Sequence, residues 1–93
     1  MVIYDVPTEK FDTFMKNLRS QVYRDPFDVV YNCNLKVNDQ LYRLRLQVCP
    51  HRQVNPIQAV RLDKNITKCE LITDPTMLET LARLVVAQYA EAE

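Results

Sequence analysis

A thiol and an imidazole stand two positions apart in Cys49-Pro50-His51. A cysteine nucleophile needs its base within hydrogen-bond reach and a third group to orient that base. Nothing at a fixed spacing supplies the third group, so the pair reads as a strand-end cysteine followed by a loop histidine. Zinc is bound by clustered ligands, commonly cysteine pairs roughly two to four residues apart. Cys33, Cys49, His51 and Cys69 lack that spacing. Ser20 is the only serine and falls in a helical pattern, and the acids are scattered along helices and turns. The chain has no glycine, where a share of about 7% is usual. A P-loop and a dinucleotide fingerprint both need backbone that a Cβ would obstruct. The expectation is a protein that is not an enzyme, with no cofactor and no metal.

The most specific polar constellation lies elsewhere. Arg43 and Arg45 alternate with apolar residues on one strand-like segment, and Asn32 and Asn34 do the same on the segment before it. Arginine forks and amide groups both bond planar acceptors, and a sheet holds them rigidly. Lys36 and Gln47 fall on the same parity, and Arg61 and Lys68 are further cations nearby in sequence. The competing reading is a solvated sheet face on which arginine stems cover apolar neighbours. Binding to single-stranded RNA would also want exposed aromatics for stacking. Tyr31 and Tyr42 fall on the apolar parity, which leaves only Tyr23 and Phe27 as candidates.

These residues must be positioned by the run from Val29 to Val48. Both of its arms alternate apolar and polar residues, the period of a half-buried strand. Asn38-Asp39 suits a two-residue turn, because both residues tolerate positive φ. Val37 then faces Gln40, Leu35 faces Tyr42, Cys33 faces Leu44, Tyr31 faces Leu46 and Val29 faces Val48. The other face pairs Asn34 with Arg43 and Asn32 with Arg45. A slip of one residue would mix the two sets, so the pattern specifies the register.

Val2 to Val6 reads as a short edge strand. Pro7-Thr8-Glu9 opens a helix whose stripe is Phe11, Phe14, Met15, Leu18 and Val22, and Pro26 stops it near Arg24. Pro50 to Pro56 reads as a proline-bounded connection. Ile57–Leu62 and Ile66–Thr73 read as two more strands joined around Asp63-Lys64-Asn65. A two-residue turn there would set Arg61 opposite Lys68, a disfavoured like-charge pair, and a longer loop disturbs the apolar matching. Asp74-Pro75 caps a last helix with the stripe Met77, Leu78, Leu81, Leu84, Val85 and Tyr89. Glu91 and Glu93 oppose the dipole at its end, where fraying is expected.

The sum is one α+β domain over residues 1–93, with two layers. Four antiparallel strands, five if the Val2–Val6 run joins them, carry both helices on one face. The opposite face is open and holds Asn32, Asn34, Lys36, Arg43, Arg45 and Gln47. Twelve basic residues balance twelve acidic ones, which weighs against binding driven by many phosphates or by an anionic membrane. Cys33 faces the core and Cys49 the other side, so the cysteines point to a reducing, cytoplasmic setting. The sequence shows no signal peptide and no apolar run of membrane-spanning length. The sequon Asn65-Ile66-Thr67 is then without consequence.

Two resemblances add to this reading. Leu44-Arg45-Leu46-Gln47-Val48-Cys49, followed by Val60-Arg61-Leu62-Asp63-Lys64, resembles the kinase-associated C-terminal domain of the microtubule-affinity-regulating and AMP-activated kinase group. That resemblance implies a helix, a curved antiparallel sheet and a closing helix, acting as an autoinhibitory, protein-docking or acidic-lipid-binding module. Phe14, Asp25-Pro26, Val60-Arg61-Leu62, Thr73-Asp74 and the run from Leu81 to Ala87 are similar to the smaller Alu-domain protein of the signal recognition particle. That likeness implies RNA binding on an open sheet face, as a heterodimer. The functional expectation is a binding or regulatory module. It recognises a protein partner through the open face or a sheet edge, using Asn32, Asn34, Lys36, Arg43, Arg45 and Arg61. The alternatives are RNA binding on a basic face and inhibition of a host or cellular enzyme, with a homo- or heterodimer as the expected assembly.

Overall fold

The computed structural model describes residues 2–21, 23–24, 29–65 and 67–91, with backbone alone for 21, 23 and 24. Val22, Asp25-Pro26, Phe27, Ile66 and Glu93, all used above, lie outside the described residues. The chain runs β1 (Tyr4–Asp5), α1 (Thr8–Gln21), β2 (Tyr23–Arg24), β3 (Val30–Val37), β4 (Gln40–Cys49), β5 (Gln53–Leu62), β6 (Cys69–Leu71) and α2 (Pro75–Ala90). The sheet order is β1-β5-β4-β3-β2, with β6 also on β5, and every pairing is antiparallel. This is the expected two-layer α+β fold. The apolar faces of α1, α2 and the sheet meet in one core.

The β3–β4 hairpin has the register that its alternation dictates. Leu35 pairs with Tyr42, Cys33 with Leu44 and Tyr31 with Leu46, and all six are buried. The Val48 amide donates to the Val29 carbonyl at 2.8 Å. The turn holds Asn38 at φ 49° and Asp39 at φ 68°, the left-handed pair that a two-residue hairpin loop requires. The next turn repeats the device with less suitable residues, His51 at φ 65° and Arg52 at φ 60°.

Several boundaries differ from the sequence expectation. Helix α1 ends at Gln21 rather than near Arg24, and Tyr23–Arg24 instead pairs with Asn32 and Tyr31 of β3. Pro26 sets only an outer limit on the helix, and the free edge of β3 offers these residues a ladder. The connection after β4 is shorter than Pro50–Pro56, because β5 starts at Gln53. Pro56 is tolerated in the strand because it adjoins an irregularity. Leu46 pairs with Pro56 and Arg45 with Gln58, which leaves Ile57 as an extra residue, the signature of a bulge.

The last strand is only Cys69–Leu71, with Leu62 opposite Cys69 and Arg61 opposite Glu70. The longer loop therefore holds, and it replaces a like-charge pair with an Arg61–Glu70 ion pair at 2.8 Å. Asp63 organises the loop by accepting from the Thr67 amide at 2.8 Å and the Lys68 amide at 3.2 Å.

Helix α2 starts as expected, with the Asp74 side chain accepting from the Thr76 amide at 3.4 Å. Its buried arc is Leu81, Ala82, Val85, Val86 and Tyr89, and Leu84 is exposed. The helix packs on both α1 and the sheet, which turns Ala82 and Val86 inward at the expense of Leu84. Buried Asn17 of α1 donates to the Tyr89 carbonyl at 2.6 Å. This bond satisfies one of the carbonyls that every helix leaves open at its C-terminus.

A left-handed residue with a Cβ costs roughly 1–2 kcal/mol where no local side-chain bond compensates. Arg52→Gly should therefore raise stability by about 0.5–1 kcal/mol, after the extra freedom glycine gives the unfolded chain is subtracted. Chemical denaturation checks this through the midpoint. An unchanged or lowered midpoint would show that the Arg52 conformation carries no strain.

Candidate functional site

Directly paired residues in an antiparallel sheet share a face, so the register states which side chains stand opposite the helices. On β3 these are Asn32, Asn34 and Lys36. On β4 they are Leu41, Arg43, Arg45 and Gln47. The expected cluster is thus brought together. The Arg43 Nε donates to Asn34 Oδ1 at 3.3 Å across the strand pair, which props the guanidinium outward. Arg43 and Arg45 are exposed, and neither makes an ion pair with a described residue. Lys36 lies 4.0 Å from Asp39 at the turn, a solvent-exposed pair of the kind that contributes little.

The bulge changes what β5 contributes. Before it, Val54 pairs with Val48 and Pro56 with Leu46 on the core side. After it, Ala59 pairs with Leu44 and Arg61 with Tyr42 on that same side. The parity of the strand is inverted, as a one-residue slip must invert it. Val60 is thereby set beside Arg43, and Leu62 beside Leu41, on the face away from the helices. Leu71 of β6 pairs with Val60 on that face and is 56% exposed. The face is therefore less polar than the hairpin alone implies. An apolar sector of Leu41, Val60 and Leu71 adjoins the cations, with Leu62 buried beside it. Among the described strand residues the one acid on it is Asp5, at the β1 edge, where Gln53 Nε2 donates to its Oδ1 at 2.8 Å.

Arg61 leaves the expected site. It faces the helix side, with its guanidinium carbon 5.9 Å from the centre of the Tyr42 ring and its Nη1 on Glu70 Oε1. Lys68 is exposed in the loop before β6, away from the hairpin cations by sequence and element. The apolar sector was not visible in the sequence. The one usable signal was the opposite charge of Arg61 and Glu70, which fixes the β5–β6 register once cross-strand pairing is required.

The other candidates for chemistry do not assemble. The Cys49 Sγ donates to the Gln47 carbonyl at 3.9 Å, and His51 is exposed in the turn. No hydrogen bond joins them among the described residues. All three cysteines are free thiols. Among the described residues, no three histidine, cysteine or acidic side chains are grouped to hold a metal ion, and no helix is long and apolar enough to cross a membrane. A groove of about 590 Å³ at the hairpin tip has Lys36, Asp39, Asp63 and Lys64 on its rim, a mixed set of solvated charges without a convergent polar centre. No protein-family profile, curated protein or solved structure matches the chain.

Burial pushes the Cys33 thiol up to about 12 from 9.0, so it stays a neutral core group rather than a nucleophile. Burial first, and then Cys33, also raise the Tyr89 hydroxyl. The unfolded chain therefore releases the Cys33 proton before the folded one does. The stability tied to it is complete below pH 9 and is lost as pH rises toward 12. The expected slope is at most about 1.4 kcal/mol per pH unit for one proton. Denaturation midpoints from pH 8 to 11 check this, with a shallower decline expected for Cys33→Ala. In a thiol-reagent titration Cys69 should react first and Cys33 only on unfolding.

Proposed function

We propose that this chain is a non-catalytic binding module that recognises a protein partner through the sheet face away from the helices. One observation carries the reading. A chain with equal numbers of acids and bases has sorted them so that the middle of this face holds Arg43 and Arg45, with Lys36 nearer the turn, while its described acids stand at the margins, Asp5 on Gln53 at the β1 edge and Asp39 beside Lys36 at the turn. The bulge at Ile57 adds an apolar sector directly beside those cations. Exposed arginine next to apolar surface is the composition of a protein interface, and a complementary acidic partner would be steered to it. The likeness to kinase-associated C-terminal domains, whose members dock proteins, leans the same way. The tyrosines of the hairpin are buried, which removes two candidate stacking platforms from an RNA reading. With three free cysteines, we place the module in the cytoplasm, assembling as a homo- or heterodimer.

The test is Arg43→Glu with Arg45→Glu, assayed by pull-down from nuclease-treated native lysate. Capture should be lost while the melting temperature changes by no more than a few degrees, because exposed substitutions usually cost within about 0.5 kcal/mol. Leu44→Glu, on the same strand, should unfold the domain, since it buries a charge without a partner. Wild-type capture by the double variant would leave only a solvated face. Capture that requires RNA and falls steeply with salt, with a log–log slope of about −0.7 per neutralised phosphate, would overturn the protein reading in favour of nucleic acid.

A further inference from the structure

Three large hydrophobic residues are exposed among the described residues: Ile57 at 44%, Leu71 at 56% and Leu84 at 36%. The first two line one groove of about 470 Å³, together with Arg45, Gln58, Ile72 and Leu78. The groove opens beside β5, and its position follows from the strand pairing. β1 covers β5 only at residues 53–54 and β6 only at residues 60–62. The Ile72 amide also donates to the Ala59 carbonyl at 2.9 Å, so residues 55–58 are the part of this edge with no described strand alongside, a length of roughly 10 Å at about 3.3 Å per residue.

We propose that this groove receives an apolar side chain flanked by carboxylates, presented by an acidic segment of a protein partner. The proposal rests on the reading of the open face above and names the chemistry of its occupant. Charge supports it. Arg45 ends at the groove without a described acidic partner, and no described lining residue is acidic. The two acids that bracket the segment in sequence are engaged elsewhere, Glu70 with Arg61 and Asp74 with the Thr76 amide. Shape supports it as well. Ile57, displaced outward as the extra residue of the bulge, and Leu71 form two exposed apolar walls, and Leu78 of α2 adds a half-buried third. Pairing by another strand is disfavoured at this edge, because Pro56 offers no N–H and the bulge breaks the ladder. The groove is therefore read by side chains rather than by backbone, which disfavours edge-to-edge association of two copies.

The test is an amide chemical-shift titration of the whole chain with three blocked peptides. They are Glu-Glu-Leu-Leu-Glu-Glu, its charge-reversed form Lys-Lys-Leu-Leu-Lys-Lys, and Glu-Glu-Ser-Ser-Glu-Glu. The first should produce saturable shifts centred on Ile57, Gln58, Leu71 and Ile72. The other two should bind about tenfold more weakly or worse, as should the first peptide to the variant Ile57→Ser with Leu71→Ser. Both substituted residues are exposed, so the variant should keep its melting curve. Equal shifts from the lysine peptide, absence of saturable shifts at the groove, or concentration-dependent dimerisation abolished by the Ile57→Ser, Leu71→Ser variant would each overturn the proposal. Shifts confined to Asn34 and Arg43 would overturn the groove while leaving the open face as the docking surface. Lysate capture retained by the serine variant but lost with Arg43→Glu and Arg45→Glu would do the same.

Discussion

Everything in this fold depends on the register of one hairpin. The β3–β4 ladder sets Tyr31, Cys33 and Leu35 against Leu46, Leu44 and Tyr42, and all six enter the core. The same ladder must then send Asn32, Asn34, Arg43 and Arg45 the other way, because successive side chains in a strand alternate. Burial of the apolar set and display of the cationic set are therefore one event. The helices have a single dry face to cover, and they meet over it.

The bulge in β5 modifies this plan. A regular strand that kept Val54 and Pro56 on the core side would also send Gln58, Val60 and Leu62 inward and Arg61 outward. One extra residue at Ile57 reverses that for the second half of the strand. Arg61 goes to the helix side, where it is held by Glu70 and lies over Tyr42. Val60 and Leu62 go to the open side, beside the arginines. Leu62 is still buried there, but Val60 is only half-buried and its β6 neighbour Leu71 is exposed, so a small core forgoes that burial. The arrangement makes physical sense where those residues serve contact with something else.

The hairpin was legible because the arms alternate from Tyr31 to Val37 and from Tyr42 to Val48 and the turn residues tolerate positive φ. Both helix starts were legible through Pro7, Thr8, Asp74 and Pro75. The less legible elements share a cause. A strand of two or three residues, such as β2 or β6, carries too little periodicity to be read and forms because a neighbouring edge is free. The proline rule shortened β5 because a bulge that excuses Pro56 cannot be seen in one sequence. Leu84 misled because α2 packs on two partners rather than one. For the site, Asn32, Asn34, Lys36, Arg43 and Arg45 follow from parity alone. Arg61 does not, since its face depends on the bulge, and the exposed apolar sector was hidden for the same reason.

The central claim is that the helix-free face of the sheet meets the partner. Site-specific photocross-linking tests it directly, with benzoylphenylalanine placed at Asn34, exposed on that face, or at Arg83, exposed on α2. In nuclease-treated lysate the expected result is one discrete protein adduct from position 34 that is absent from position 83. An adduct from position 83 with none from position 34 would contradict it, and would place the contact on the helical layer.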